Sequence, residues 1–161
     1  MPKYFLETSA FLKRYKEEAG SNIVNNLFNN RHELFYLNLA IIEIRKVFYR
    51  LWKYPLQQDD PITEEEFNAL SSRFAEDILQ MQRIEFTEEM IGQAITILGK
   101  AWVPNIFDLA QLSAYLIAKK EYPDVIFVCS DERSKLIEGV KQFVREGDII
   151  VPGGIGVNQR F

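Results

Sequence analysis

Lys3-Tyr4-Phe5-Leu6-Glu7-Thr8-Ser9-Ala10-Phe11-Leu12-Lys13-Arg14-Tyr15 contains the change of period that decides the fold. Tyr4 to Leu6 is an aromatic and apolar run too short for helix periodicity, and it predicts a buried strand. A carboxylate follows at once, then two hydroxyl residues of the kind that cap helices, then Phe11, Leu12 and Tyr15 at helical spacing. Glu7 is thereby expected at the carboxyl end of a first strand, the lip on which open α/β sheets bind ligands.

Outward from that stretch the alternation repeats. Gly20 ends the first helical segment, Ala10 to Lys16, and Ser21 is placed to cap a second one bearing Ile23, Val24, Leu27 and Phe28. Glu33 to Leu37 reads as a strand, and Asn38 as the cap of a long helix from Leu39 to about Trp52. A loop bounded by Pro55 and Pro61 follows. Thr63 with Glu66 forms a capping box, which predicts a helix to about Arg83. Ile84 to Phe86 is a short strand candidate, and Thr87 is expected to cap a helix to about Lys100. After the break at Val103-Pro104-Asn105, the pattern predicts a helix over 107–120, an apolar strand over 125–129, a helix over 131–145 and a last strand over 148–151. Strands alternating with helices imply an α/β fold: a three-layer α/β/α sandwich on a central parallel sheet of four to five strands, with a helical insert, in a single domain over residues 1–161.

Composition narrows the function. The 161 residues carry 19 basic and 23 acidic side chains, a net charge of −4, so no global positive field draws the chain to nucleic acid. A polyanionic substrate would need a metal or a local basic patch. The single cysteine, Cys129, excludes an internal disulfide framework and suits a reducing compartment. Met1-Pro2-Lys3 opens straight into a strand without a signal peptide, and no apolar run reaches membrane-spanning length. The expectation is a soluble cytoplasmic protein. His32 is the only histidine, which gives histidine acid–base catalysis little support. The glycines after Pro152 have no following helix and do not form a phosphate loop.

Four acids are the candidates for chemistry. Glu43 has Leu39, Ala40 and Val47 one helical turn away, so it stands in an apolar stripe where a carboxylate is costly without partners. Its ordinary reading is a pair with Lys46 at the stripe's edge. Asp108 follows Asn105 by three residues, as a capping-box acid would. Asp131 ends a strand and begins a helix, and Glu7 has the alternative of an exposed first-turn acid. Together they argue differently, because Glu7 and Asp131 fall at carboxyl strand ends and Glu43 and Asp108 near helix starts beside them. Four carboxylates gathered there would raise one another's pKa values unless a cation intervened. An all-oxygen ligand set without a His or Cys cluster points to Mg²⁺ or Mn²⁺.

The blocks Tyr4–Tyr15, Leu39-Ala40-Ile41-Ile42-Glu43, Phe107–Ala114 and Val128–Arg133 also resemble, in order and spacing, a PIN domain of the VapC-like ribonuclease toxin type found in bacterial toxin–antitoxin pairs. The resemblance implies metal-assisted hydrolysis of single-stranded RNA to a 5′-phosphate and a 3′-hydroxyl. By it, Glu43, Asp108 and Asp131 take the positions of three metal-binding acids. Glu7 takes the first, where the family normally has aspartate, and Ser9 and Ser130 match supporting hydroxyls. It further implies a homodimer, an antitoxin partner and an RNA substrate. Lys13, Arg14, Arg45 and Lys46 are candidates for gripping the substrate, with Tyr15 or Tyr49 available to stack on a base. Two other readings stand beside the nuclease: a catalytically impaired PIN-like domain that binds RNA or protein, with Glu7 marking the decay, and a receiver-type domain with a phosphorylated aspartate. The last lacks the paired acid after the first strand.

Overall fold

A computed structural model describes residues 1–130 and 136–154. Its strands are β1 (Lys3–Leu6), β2 (Glu33–Leu37), β3 (Gln82–Ile84), β4 (Ile126–Val128) and β5 (Ile149–Ile150). Its α-helices are α1 (Thr8–Leu12), α2 (Ser21–Asn29), α3 (Ala40–Lys53), α4 (Glu64–Leu79), α5 (Glu88–Leu98), α6 (Ile106–Glu121) and α7 (Leu136–Lys141). The five strands form one parallel sheet in the order β3-β2-β1-β4-β5.

The period-2 alternation of β1 explains the layers. Phe5 points to one face, where it packs with Phe35, Phe127 and Tyr115 beneath α5, α6 and α7. Tyr4 and Leu6 point to the other, with Leu34, Tyr36, Phe11, Phe48 and Phe74 beneath α1 to α4. The sheet is thus covered on both faces, as a parallel sheet must be. The helical insert between β2 and β3 is α3 followed by α4, and the expected capping box holds: Thr63 Oγ1 accepts from Glu66 N at 3.2 Å while Glu66 Oε2 accepts from Thr63 N at 2.7 Å.

Three expected caps are arranged differently. Glu7, not the hydroxyl residues after it, caps α1, because its extended backbone lets its own carboxylate accept from Ser9 N. Asn38 does not cap α3. Its amide instead donates to Glu85 at 2.6 Å and accepts from Phe86 N at 3.1 Å, tying the ends of β2 and β3. That tie also explains why β3 pairs two residues earlier than expected, with Leu37 opposite Ile84. Ser21 lies inside α2, where its hydroxyl donates to Lys16 O at 2.8 Å and the N-cap is Gly20. Gly20 needs its left-handed φ of 89°, and Gly153 (φ 79°) is pressed against it: a Cβ on Gly153 would lie 2.5 Å from Ala19 O. No described helix is long and apolar enough to cross a membrane.

Candidate active site

Beyond Leu6 the ladder continues for one bond, Glu7 N donating to Val128 O at 2.9 Å, so Glu7 is fixed at the carboxyl end of the central strand. There β1, α1, α3 and α6 surround a pocket of about 480 Å³. Glu7, Glu43 and Asp108 all line it, although they lie on three separate elements.

Each acid is held by identifiable neighbours. Glu7 is 2% exposed. Its Oε2 accepts from Ser9 N at 2.9 Å and from the Ser9 hydroxyl, whose oxygen in turn accepts from Ser130 N at 3.0 Å. Ser9 therefore holds the Glu7 carboxylate through both its backbone amide and its hydroxyl. The Ser130 hydroxyl turns away, donating to Pro152 O at 3.1 Å. Glu43 Oε1 accepts from Thr8 Oγ1 at 2.8 Å and from Gln111 Nε2 at 3.1 Å, and Gln111 Nε2 also donates to Thr8 Oγ1 at 2.8 Å. The fully buried Gln111 thus joins α6 to both α1 and α3. Asn105 caps α6, accepting from Phe107 N at 2.8 Å and Asp108 N at 3.3 Å. That cap places buried Asp108 in the first turn, where the helix dipole favours its charge. Asp131 lies outside the described residues.

Burial is the main reason the Glu7 carboxyl is pushed up from 4.5 to about 8. The Ser9 hydrogen bonds oppose this, and the charges of Asp108 and Glu43 add to it. Burial likewise raises Glu43, against the hydrogen bonds from Thr8 and Gln111. The linkage sign follows. A carboxyl with a raised folded-state pKa holds its proton in the folded chain after the unfolded chain has lost it. Its contribution is full below pH 4.5 and is lost progressively as the pH rises to about 8. Thermal melting without divalent ions is expected to show Tm falling across that window. Glu7→Gln should flatten the fall, and an unchanged profile in Glu7→Gln would count against this origin.

Among the described residues, no three His, Cys, Asp or Glu side chains converge as a ready metal cage. The donor chemistry still fits a hard cation, because the pocket lining includes carboxylates and hydroxyls but neither His nor Cys. A cation there would also offset the repulsion from Asp108 and Glu43 that adds to the effect of burial on Glu7.

The four basic candidates separate. Lys46 lines the pocket. Lys13 is taken up by Glu18 at 3.0 Å and Ala19 O at 2.8 Å. Arg14 pairs with buried Asp77 on α4, donates to Asn25 at 2.9 Å and covers Phe28. Arg45 lies over the Phe74 ring. Tyr15 is committed to Asp77 through a 2.8 Å hydrogen bond, and Tyr49 packs on Phe67. Three residues outside the sequence candidates also build the site: Thr8 and Arg50 line the pocket, and buried Gln111 holds Glu43 and Thr8. Arg50 carried a signal, since it stands seven residues after Glu43 on the same helical stripe.

Comparison with solved structures gives a match to VapBC2 from Rickettsia felis bound to a DNA fragment from their promoter. It covers 84% of this chain and 92% of that one at a TM-score of 0.56. The fold is that of a PIN domain. At 12% identity the likeness is one of fold. DNA-bound VapBC from Salmonella typhimurium is also similar, at 13% identity, 83% and 90% coverage and a TM-score of 0.46. No family model and no curated protein sequence matches the chain. In this PIN-domain fold the pocket lies at the carboxyl end of β1, with the acids drawn from the β1–α1 junction, α3 and α6.

Proposed function

We propose that this PIN-fold chain is a Mg²⁺- or Mn²⁺-dependent endoribonuclease that hydrolyses single-stranded RNA, the toxin half of a type II toxin–antitoxin pair. The observation that carries the reading is the meeting of Glu7, Glu43 and Asp108 in one pocket at the carboxyl edge of the parallel sheet. Those three acids would hold the ion, with Asp131 as a further ligand. The chemistry that such an ion supplies is polarisation of a phosphoryl oxygen and acidification of water. The chain's own residues set direction: Ser9 holds the Glu7 carboxylate, and Thr8 with Gln111 holds that of Glu43. The closeness of the acids makes added positive charge stabilising. The similarity to a VapBC complex supports an antitoxin partner, and a homodimer acting in the cytoplasm belongs to the same reading.

One observation favours the alternative, an RNA- or protein-binding module with a decayed site. Glu7 is one methylene longer than aspartate, and its carboxylate folds back onto Ser9. Melting with and without Mn²⁺, followed by a single-stranded RNA cleavage assay, separates the two. At Mn²⁺ well above its dissociation constant the nuclease gains about 3 kcal/mol, a Tm rise of roughly 5–10 °C, and cuts RNA. Stabilisation without cleavage supports the binding module. Glu7→Asp, which shortens the acid, is expected to preserve or increase cleavage, and a clear loss would refute that expectation.

A further inference from the structure

Along α3 the residues Glu43, Lys46, Val47 and Arg50 share one stripe that lines the pocket. The acid stands at the inner end and two cations follow outward. Helical rise puts Lys46 about 4–5 Å and Arg50 about 10 Å beyond Glu43 along the axis. Lys46 is exposed and has no ion pair among the described residues. Arg50 is different, because the loop after α3 folds back onto it. Ile62 N donates to Leu51 O at 3.1 Å, and Asp59, itself accepting from Leu56 N at 2.9 Å, holds the guanidinium by one hydrogen bond and one close ion-pair contact. Arg50 Nε lies 3.0 Å from Asp59 Oδ2, and Nη2 donates to Oδ1 at 3.1 Å. The Asp59 side chain is 9% exposed while that of Arg50 is 41% exposed. One edge of the guanidinium is therefore anchored while part of the side chain stays in solvent. A planar fork held in this way suits a phosphate better than a free lysine does.

Resting on the ribonuclease reading, we propose that Lys46 and Arg50 form a phosphate track that binds the RNA backbone beside the scissile bond, with Asp59 positioning Arg50. At a net charge of −4 no general positive field draws RNA to the chain, so a local basic device beside the acids adds what the net charge lacks. Lys46 and Arg50 are binding residues, and Asp59 acts only through Arg50.

The test is equilibrium binding of a fluorescein-labelled single-stranded RNA in EDTA, read by anisotropy across a salt series. Each contact with a single-stranded phosphate contributes about 0.7 to the slope of log K against log salt. Lys46→Gln and Arg50→Gln are each expected to weaken binding about tenfold at low salt and reduce the slope by about 0.7. The double variant should lose about 1.4. Asp59→Asn is expected to weaken binding although it removes a negative charge; tighter binding would overturn the positioning role. Lys3→Gln, at the amino end of β1 away from the pocket and paired with Asp124, serves as the control and should leave the slope unchanged. Unchanged slopes in Lys46→Gln and Arg50→Gln, with circular dichroism showing both folded, would overturn the track while wild-type RNA cleavage still stands. Absence of salt-dependent binding by the wild type would overturn the track and the RNA reading together.

Discussion

Asp108→Asn is expected to lower RNA cleavage by at least about 100-fold and to abolish the Mn²⁺-dependent rise in Tm, while leaving metal-free stability nearly unchanged. The opposite behaviour of the two readouts is what makes the substitution informative. Asp108 is buried in the first turn of α6, and its charge is one of the causes that push Glu7 upward. The amide keeps the shape and loses the charge. Loss of a favourable helix-dipole interaction costs about 0.5 kcal/mol, and relief of repulsion with Glu7 offsets it. The metal-free Tm should therefore stay within roughly 2–4 °C of wild type. A residue serving only as a helix-start acid would behave otherwise: Asn would lower Tm and leave cleavage and the Mn²⁺ response intact.

The largest loss of stability is expected at Asp77→Ala, away from the pocket. Asp77 accepts from Arg14 Nε at 3.2 Å, Arg14 Nη2 at 3.2 Å and Tyr15 Oη at 2.8 Å, in an environment where its side chain is 8% exposed and that of Arg14 15%. Removing Asp77 leaves a mostly desolvated guanidinium without its counter-charge, held only by Asn25, and a phenol without its acceptor, at a cost of about 3–5 kcal/mol. For a chain of this size that lowers Tm by roughly 10 °C or more, measurable by calorimetry. Replacing the whole group by apolar side chains, Arg14→Met with Tyr15→Phe and Asp77→Leu, should recover much of the loss, because the aromatic cluster of Phe11, Phe48 and Phe74 already surrounds it. A triple variant no more stable than Asp77→Ala would show that the ionic group contributes more than its own solvation.

Much of this architecture was readable from period and capping chemistry. The strand-to-carboxylate junction at Leu6-Glu7 and the capping box at Thr63 are local signals, and local signals survive folding. The sheet order was not legible, because pairing β1 between β2 and β4 depends on contacts across most of the chain. Asn38 shows how a local preference is overridden: its amide finds partners on Glu85 and Phe86 that the sequence neighbourhood does not contain. The acids of the pocket were visible as carboxylates in apolar company. Their keepers were harder to see. Gln111 is an unremarkable polar residue until α6 is laid beside α3, and Arg50 looks like a solvated helix residue until the loop brings Asp59 back to it. Arg14 and Tyr15 read as candidates for gripping and stacking on substrate for the converse reason, since Asp77 reaches them from 62 residues away or more.

The position of β1 in the middle of the sheet has a consequence during biosynthesis. Its second neighbour, β4, comes after α6, so the earliest residues to leave the ribosome stay unflanked on one side until most of the polypeptide has emerged. Premature termination ahead of α6 yields a fragment without Asp108, Gln111 or that flanking strand. If the pocket carries the proposed chemistry, that chemistry arises only in molecules that contain α6, and shorter products lack two of the residues that build the site.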